Sequence, residues 1–405
     1  MVATIMTFKT RLSVLLISTP VLAFVLIGGA LGNAAAGTDD EAIRQLRVFR
    51  DVLGLVMSNY VEEVKVDEVM EGAMRGLAEG LDPDSAYLSP EQAREVESQS
   101  GAPAGDLGIE LTRQYYLRVI AARDGSPAAQ AGLQTGDYVR AIDGRSTRDL
   151  SVFEGTRLLR GEPGSKVVLT IIRGNAADPH EVTLVREKPS APAVTAKVLD
   201  SNVGYIRIPA FTASTADDVK QHAADLERAG AKALLIDVRR TAEGAIENGI
   251  ATARVFVKSG TVASKAGRPA EGQKEAVPEP IAAKPGDGLV ALPVQILVSA
   301  GSSGAAEVFA AALDGNKRAD LIGEHTIGRA AEQKLVKLPE NRALWLTHVR
   351  YYTPAGKLIH GAGLEPDVAV AEPDVEFGAK LPTSDPMLDA ALQRAKASSM
   401  MQPAR

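Results

Sequence analysis

Five histidines, His180, His222, His325, His348 and His360, are the side chains best suited to exchange protons near neutrality, and they are scattered along the chain. No two stand at His-x-x-x-His spacing, so a histidine zinc site is not expected and no metal is assigned. Cysteine is absent, which excludes thiolate nucleophiles, thiolate metal sites, disulfides and thiol redox switches together. Serine hydroxyls remain, yet no Ser-His-Asp set assembles from the order of residues. His325, alone at a strand-to-loop junction, reads as structural or solvated. No cofactor motif stands out. Charge removes a further class of function: 45 Lys and Arg face 51 Asp and Glu, a formal charge of -6, which leaves no basic footprint for a nucleic acid.

The elements that would position any site divide the 405 residues into two or three domains, and 45% hydrophobic with 24% charged residues is the composition of a globular chain. Residues 1–36 read as a targeting segment. Lys9 and Arg11 precede an apolar run from Leu12 to Leu31, and Ala34 and Ala36 suit a signal peptidase; uncleaved, the run is long enough to anchor the chain. Either way the rest is expected outside the cytoplasm: in the periplasm of a two-membrane bacterium, soluble or anchored to the inner membrane. Residues 37–100 carry helical spacings (Leu46, Phe49, Leu53, Val56), broken by a proline turn at Leu81-Asp82-Pro83-Asp84. Residues 101–188 alternate short strands with Asp-Gly turns at 124–125 and 143–144, a compact β-module. Residues 189–375 place strand-like runs at 203–208, 233–238 and 294–298 between helix-like segments at 214–229, 246–259 and 303–314, the pattern of an α/β layer. Residues 264–289, rich in Lys, Pro, Gly and Glu, are expected to form a mobile surface loop. A C-terminal helix and tail are expected over 376–405.

The run from Ser126 to Gly144 resembles the middle of a PDZ domain: Pro127 opens a short helix, Gly132 and Gly136 supply permissive turns, and Val139 to Ile142 form a strand before a tight turn. Gly105, Asp106, Leu107, Gly108 and Ile109 then resemble the loop whose amides receive a peptide carboxylate, with Ile109 to Leu111 offering a strand edge. The order of helical segment, PDZ module and α/β core, with blocks at 81–88, 158–165, 203–206, 350–356 and 361–368, is similar to the carboxyl-terminal processing peptidases, or tail-specific proteases. That resemblance implies an α/β multidomain fold with a helical N-terminal segment, a PDZ module and a ClpP/crotonase-like core. It also implies an export-compartment peptidase that recognises apolar C-terminal tails.

Family members cleave with a serine nucleophile and a lysine base. By the resemblance, Glu307 and the alanines after it set a register that puts Gly304 at the nucleophile position. The block from Gly323 to Ala330 puts Arg329 at the base position, 25 residues on, with Gln333 as the assisting glutamine. Of the glycine pair lining the oxyanion region, Glu243 replaces one and Gly244 retains the other. Glycine has no hydroxyl and a guanidinium does not accept a proton near neutrality. The expectation is therefore an exported non-catalytic homologue that binds C-terminal tails of exported proteins or a protein partner through its PDZ module and core groove. Two alternatives stand beside it. One is an active endopeptidase using Ser302 or Ser303 as a substitute nucleophile; at a helix start, these serines more naturally cap free amides. The other is a regulatory subunit of an active paralogue, or a homo-oligomer.

Overall fold

The computed structural model describes residues 40–98, 105–174, 178–190, 192–199, 202–379 and 382–400. The expected export segment and residues 101–104 lie outside them. The described residues fall into two compact units, divided between Ala73 and Met74. In the first, a helix over residues 40–59 leaves Leu46, Val52 and Leu55 exposed. Among the described residues no helix is long and apolar enough to cross a membrane.

The second unit is built on a six-stranded sheet in the order Val368–Ala369, Ala319–Gly323, Val294–Val298, Ala233–Asp237, Val203–Arg207 and Thr195–Leu199. All pairings are parallel except the last. A parallel sheet needs cover on both faces, and alternation along the strands supplies it. Leu234, Ile236, Ile296, Val298 and Leu321 pack on one face beneath the helices Thr215–Arg228, Ile246–Arg254 and Ala305–Gly315. Ala233, Leu235, Leu297 and Ile322 point the other way, onto Met387, Ala391 and Ala395 of the C-terminal helix Pro386–Met400.

A second sheet runs Ala86–Leu88, Ala343–Tyr352, Thr261–Ala266 and Glu279–Ala282, with Ala331–Lys337 also paired to Ala343–Tyr352. Two expectations change here. The stretch 264–289 is not a plain loop, because its start, in the strand Thr261–Ala266, pairs antiparallel with Glu279–Ala282. Glu279–Ala282 lies at the sheet edge, where a largely exposed strand holding Pro280 needs no apolar alternation and loses no ladder donor. The helix expected over 246–259 stops at Arg254, and Phe256 and Val257 are buried beyond it.

The third sheet is the β-module: Ile109–Gln114, Tyr116–Ala122, Tyr138–Ile142, Lys166–Ile172 and His180–Val185, closed by the helix Val152–Leu159. Ser151 and Glu154 cap that helix reciprocally. Gly155 lets it approach the sheet, since a Cβ there would clash with Leu117 Cδ1. Asp143 and Gly144 both have positive φ (47° and 78°), as a tight hairpin turn requires. After the core sheet the chain returns to this module, where Phe377 stacks on His180 at 4.8 Å with the Arg173 guanidinium 4.9 Å from its ring centre.

Candidate active site and peptide groove

The strand Val294–Val298 turns sharply into the helix Ala305–Gly315 through residues 299–304. Serine hydroxyls hold this turn to the neighbouring one. Ser302 Oγ donates to Val238 O (2.8 Å) and accepts from Ser299 N (3.0 Å), while Ser299 Oγ accepts from the amides of Arg240 (3.1 Å) and Gly301 (3.2 Å). The expectation that Ser302 and Ser303 cap the helix is corrected: the N-cap position is Gly304, and the side chain that returns to it is Glu307, which accepts from Gly304 N at 3.0 Å. Ser302 is fully buried, and among the described residues no histidine or lysine hydrogen-bonds either serine hydroxyl. Ser302→Ala removes a bond that ties two loops, and should lower unfolding free energy by about 1–2 kcal/mol in urea titration. An unchanged midpoint would show the bond to be dispensable.

Gly304 has φ 59° and ψ -109°, a conformation that side chains rarely adopt. A Cβ built there would meet only Arg329 O, at 3.8 Å. The fold therefore brings positions 304 and 329 together, and there is space for a side chain at 304. The Arg329 segment is set by Glu307, which is fully buried and accepts from Thr326 Oγ1 (2.5 Å), Gly328 N (2.6 Å) and Arg329 N (2.8 Å). The 361–368 block closes over the same segment: Gly361 N donates to Gly328 O (2.8 Å) and Leu364 N to Thr326 Oγ1 (2.8 Å).

The Arg329 side chain reaches away from Gly304. Its Nη2 forms an ion pair with Asp84 Oδ1 at 2.5 Å, and its Nη1 donates to Leu111 O at 3.0 Å. Burial alone would lower its pKa; Asp84, aided by Glu110 and Glu307, holds it above the ordinary guanidinium value. It therefore stays charged near neutrality. Asp84 is positioned by the turn before it, where Asp82 accepts from the amides of Asp84 and Ser85 and from Ser85 Oγ. Gln333 donates to Thr347 Oγ1 (3.2 Å) and lines, with Asp84, Phe153, Arg329 and Trp345, a cavity of about 740 Å³ that runs up to the helix Val152–Leu159.

The loop Gly105–Ile109 faces the core across a smaller hollow of about 110 Å³, shared with Arg123, Arg240 and Glu243. Its amides are partly engaged: Gly105 N donates to Gly161 O (2.9 Å), Asp106 N to Glu187 O (2.9 Å) and Gly108 N to Asp106 Oδ1 (3.1 Å). Arg123 spans the hollow, from Asp106 Oδ1 (2.6 Å) to Glu243 Oε2 (3.3 Å). Gly244 has φ 125°, and a Cβ there would clash with Phe211 O, so the retained glycine is sterically required. Burial pushes the Glu110 carboxyl up, with Arg329 pulling it down and Glu243 adding to the rise. His325 lies apart, beside Glu365 at 3.5 Å. His360 is buried with its pKa lowered by burial, against the pull of Asp84 and Asp82.

Residues 202–370 match the model of peptidase family S41, and residues 118–173 match that of the PDZ domain. The carboxy-terminal-processing protease of Bartonella bacilliformis is 32% identical over 346 residues, covering 84% of this chain and 78% of its own length. The chain belongs to the carboxy-terminal-processing proteases of family S41. A Synechocystis carboxyl-terminal-processing protease is also 32% identical, over 77% of this chain and 73% of the relative. The photosystem II D1 C-terminal processing protease shares the fold with a TM-score of 0.67 and 25% identity, over 80% of this chain and 88% of that one. The architecture common to them is N-terminal helices, a PDZ sheet and a mixed α/β core.

Asp84 and Arg123 escaped sequence reasoning. The first sat in a block read as a proline turn and as one of the family-like blocks, with no role given to its carboxylate, and the second preceded an Asp-Gly turn. Nothing local in either stretch signals a partner more than a hundred residues away.

Proposed function

We propose that this chain is a non-catalytic member of its family, exported, which holds the C-terminal tails of exported proteins, or a protein partner, in the groove of its PDZ module and core. The observation that carries the reading is the pair at the centre of the site. A glycine without a hydroxyl stands beside an arginine whose charge Asp84 holds in place. Loss of a serine protease's nucleophile alone costs on the order of 10⁶ in kcat. By the resemblance, Glu243 replaces one glycine of the oxyanion strip, and a carboxylate there would oppose a developing negative charge. A substitute nucleophile finds no support, since Ser302 spends its hydroxyl on Val238 O and, among the described residues, no histidine or lysine hydrogen-bonds the hydroxyl of Ser302 or Ser303. Export rests on Lys9, Arg11 and the apolar run before Ala34 and Ala36. The division into a targeting segment (1–36), helical segment (37–100), PDZ domain (101–188), core (189–375) and C-terminal helix and tail (376–405) belongs to the same proposal.

Incubation of the mature chain with an unstructured, apolar-tailed protein is expected to yield no fragments over the background of buffer alone. Time-dependent fragments that disappear in a Ser302→Ala/Ser303→Ala variant would refute it.

A further inference from the structure

The strand Ile109–Gln114 is the edge of the PDZ sheet, and its backbone alternates between the neighbouring strand and the open side. Val119, opposite Leu111, spends its own amide and carbonyl on Asp137 O and Gly136 N, so the backbone of Leu111 turns to the open edge. An added peptide strand would bond there, with its terminal carboxylate on the amides of the preceding loop. Both places are occupied by the chain itself. Arg329 Nη1 holds Leu111 O at 3.0 Å. At the loop, the Asp106 carboxylate accepts from Gly108 N, and Arg123 ties that carboxylate to Glu243. The two core residues involved, Arg329 and Glu243, stand at the base and oxyanion-strip positions.

We propose that Arg329 and Glu243 latch the PDZ groove shut against the core, so that a C-terminal tail binds only by displacing them. This rests on the reading of the groove as a tail-binding site. The two ends differ in strength. Arg329 is desolvated and held by Asp84, whereas Glu243 is 41% exposed and its 3.3 Å contact is the looser one. A tail entering carboxylate-first meets the loose end first, where it competes with Asp106 for Gly108 N and for Arg123. Only the residues behind it need Leu111 O. The latch therefore grades binding by tail length: a short tail displaces the outer contact alone, a longer one must also dislodge Arg329.

The absence of cysteine makes the test direct, because Arg145→Cys on the PDZ module and Lys220→Cys on the core, both exposed, give the only two spin-label sites. Two latch variants are compared with the labelled parent: Glu243→Gly, and Arg329→Met with Asp84→Asn so that the Asp84 carboxylate is not left without its ion-pair partner. The probe is a fluorescent decapeptide with three apolar C-terminal residues and a free carboxylate, with its amidated form as control. Expected are a single narrow label distance in the parent, a broader one in the variants, and at least tenfold tighter peptide binding by Arg329→Met/Asp84→Asn. Peptide binding by the parent as tight as by both variants overturns the latch and leaves tail binding standing. A distance distribution that broadens in the variants, with no peptide bound by any form, supports the latch and refutes tail binding. Unchanged distances with no binding overturn both.

Discussion

A Gly304→Ser/Arg329→Lys/Glu243→Gly variant is expected to remain near background in cleavage at pH 7.5, and addition of Asp84→Asn to raise its rate about 10²-fold. The reason lies in what a lysine at 329 would inherit. A base must be neutral to take the serine proton, so a catalytic lysine needs a pKa lowered to about 7–8 from its ordinary ~10.4. Burial of this site works in that direction. Asp84, placed against the tip of residue 329 by the Asp82 turn, works against it. An opposite charge within hydrogen-bond distance raises an amine by about 1–3 pKa units, each a tenfold loss of free base. The sign gives a second readout. With Asp84 present, the rate climbs about tenfold per pH unit from roughly pH 7 to 9, while with Asp84→Asn it flattens at lower pH. Serine at 304 has room but must adopt φ 59°, ψ -109°, at a cost of about 1–3 kcal/mol, so stability is read alongside. Equal rates at pH 7.5 with and without Asp84→Asn would remove Asp84 as an obstacle.

That obstacle shows where sequence reading stops. The PDZ module was legible because its constraints are local: Pro127 at a helix start, glycines with φ of 78° and 95° at 132 and 136, and a turn whose two residues both need positive φ. The core strands were legible because burial on both faces makes them continuous apolar runs. The strand Glu279–Ala282 was missed for the opposite reason, since an edge strand satisfies no core and keeps a loop-like composition. The resemblance to the family's motif blocks put 304 and 329 in register, and the fold does set them side by side. The reach of Arg329 to Asp84 and Leu111, and the chain from Asp106 through Arg123 to Glu243, join segments that nothing local relates. Each is a product of separate sheets meeting, and side-chain types alone did not signal it.

Glu307 carries the second large effect, on stability. It sits at the N-terminus of the helix Ala305–Gly315, where helix polarity favours a negative charge, and is fully buried. Burial pushes its carboxyl up; the Thr326 hydroxyl and the amides of Arg329, Gly328 and Gly304 pull it back. All four donors are served by this one group, Oε1 by Thr326 and Gly328, Oε2 by Gly304 and Arg329. Glu307→Ala leaves them facing a void that the packed alanines of the helix cannot close, and should cost about 3–5 kcal/mol in chemical denaturation. Glu307→Gln should fall between, because its NH₂ can turn toward the adaptable Thr326 hydroxyl but then meets the Gly328 amide. A loss below about 1 kcal/mol for Glu307→Ala would mean that water replaces the carboxylate. Since the same carboxylate fixes the backbone of residue 329, the alanine variant should also free the guanidinium from Leu111 O. A rise in peptide affinity with Glu307→Ala, at temperatures where it stays folded, would link the buried anchor to the groove it holds closed.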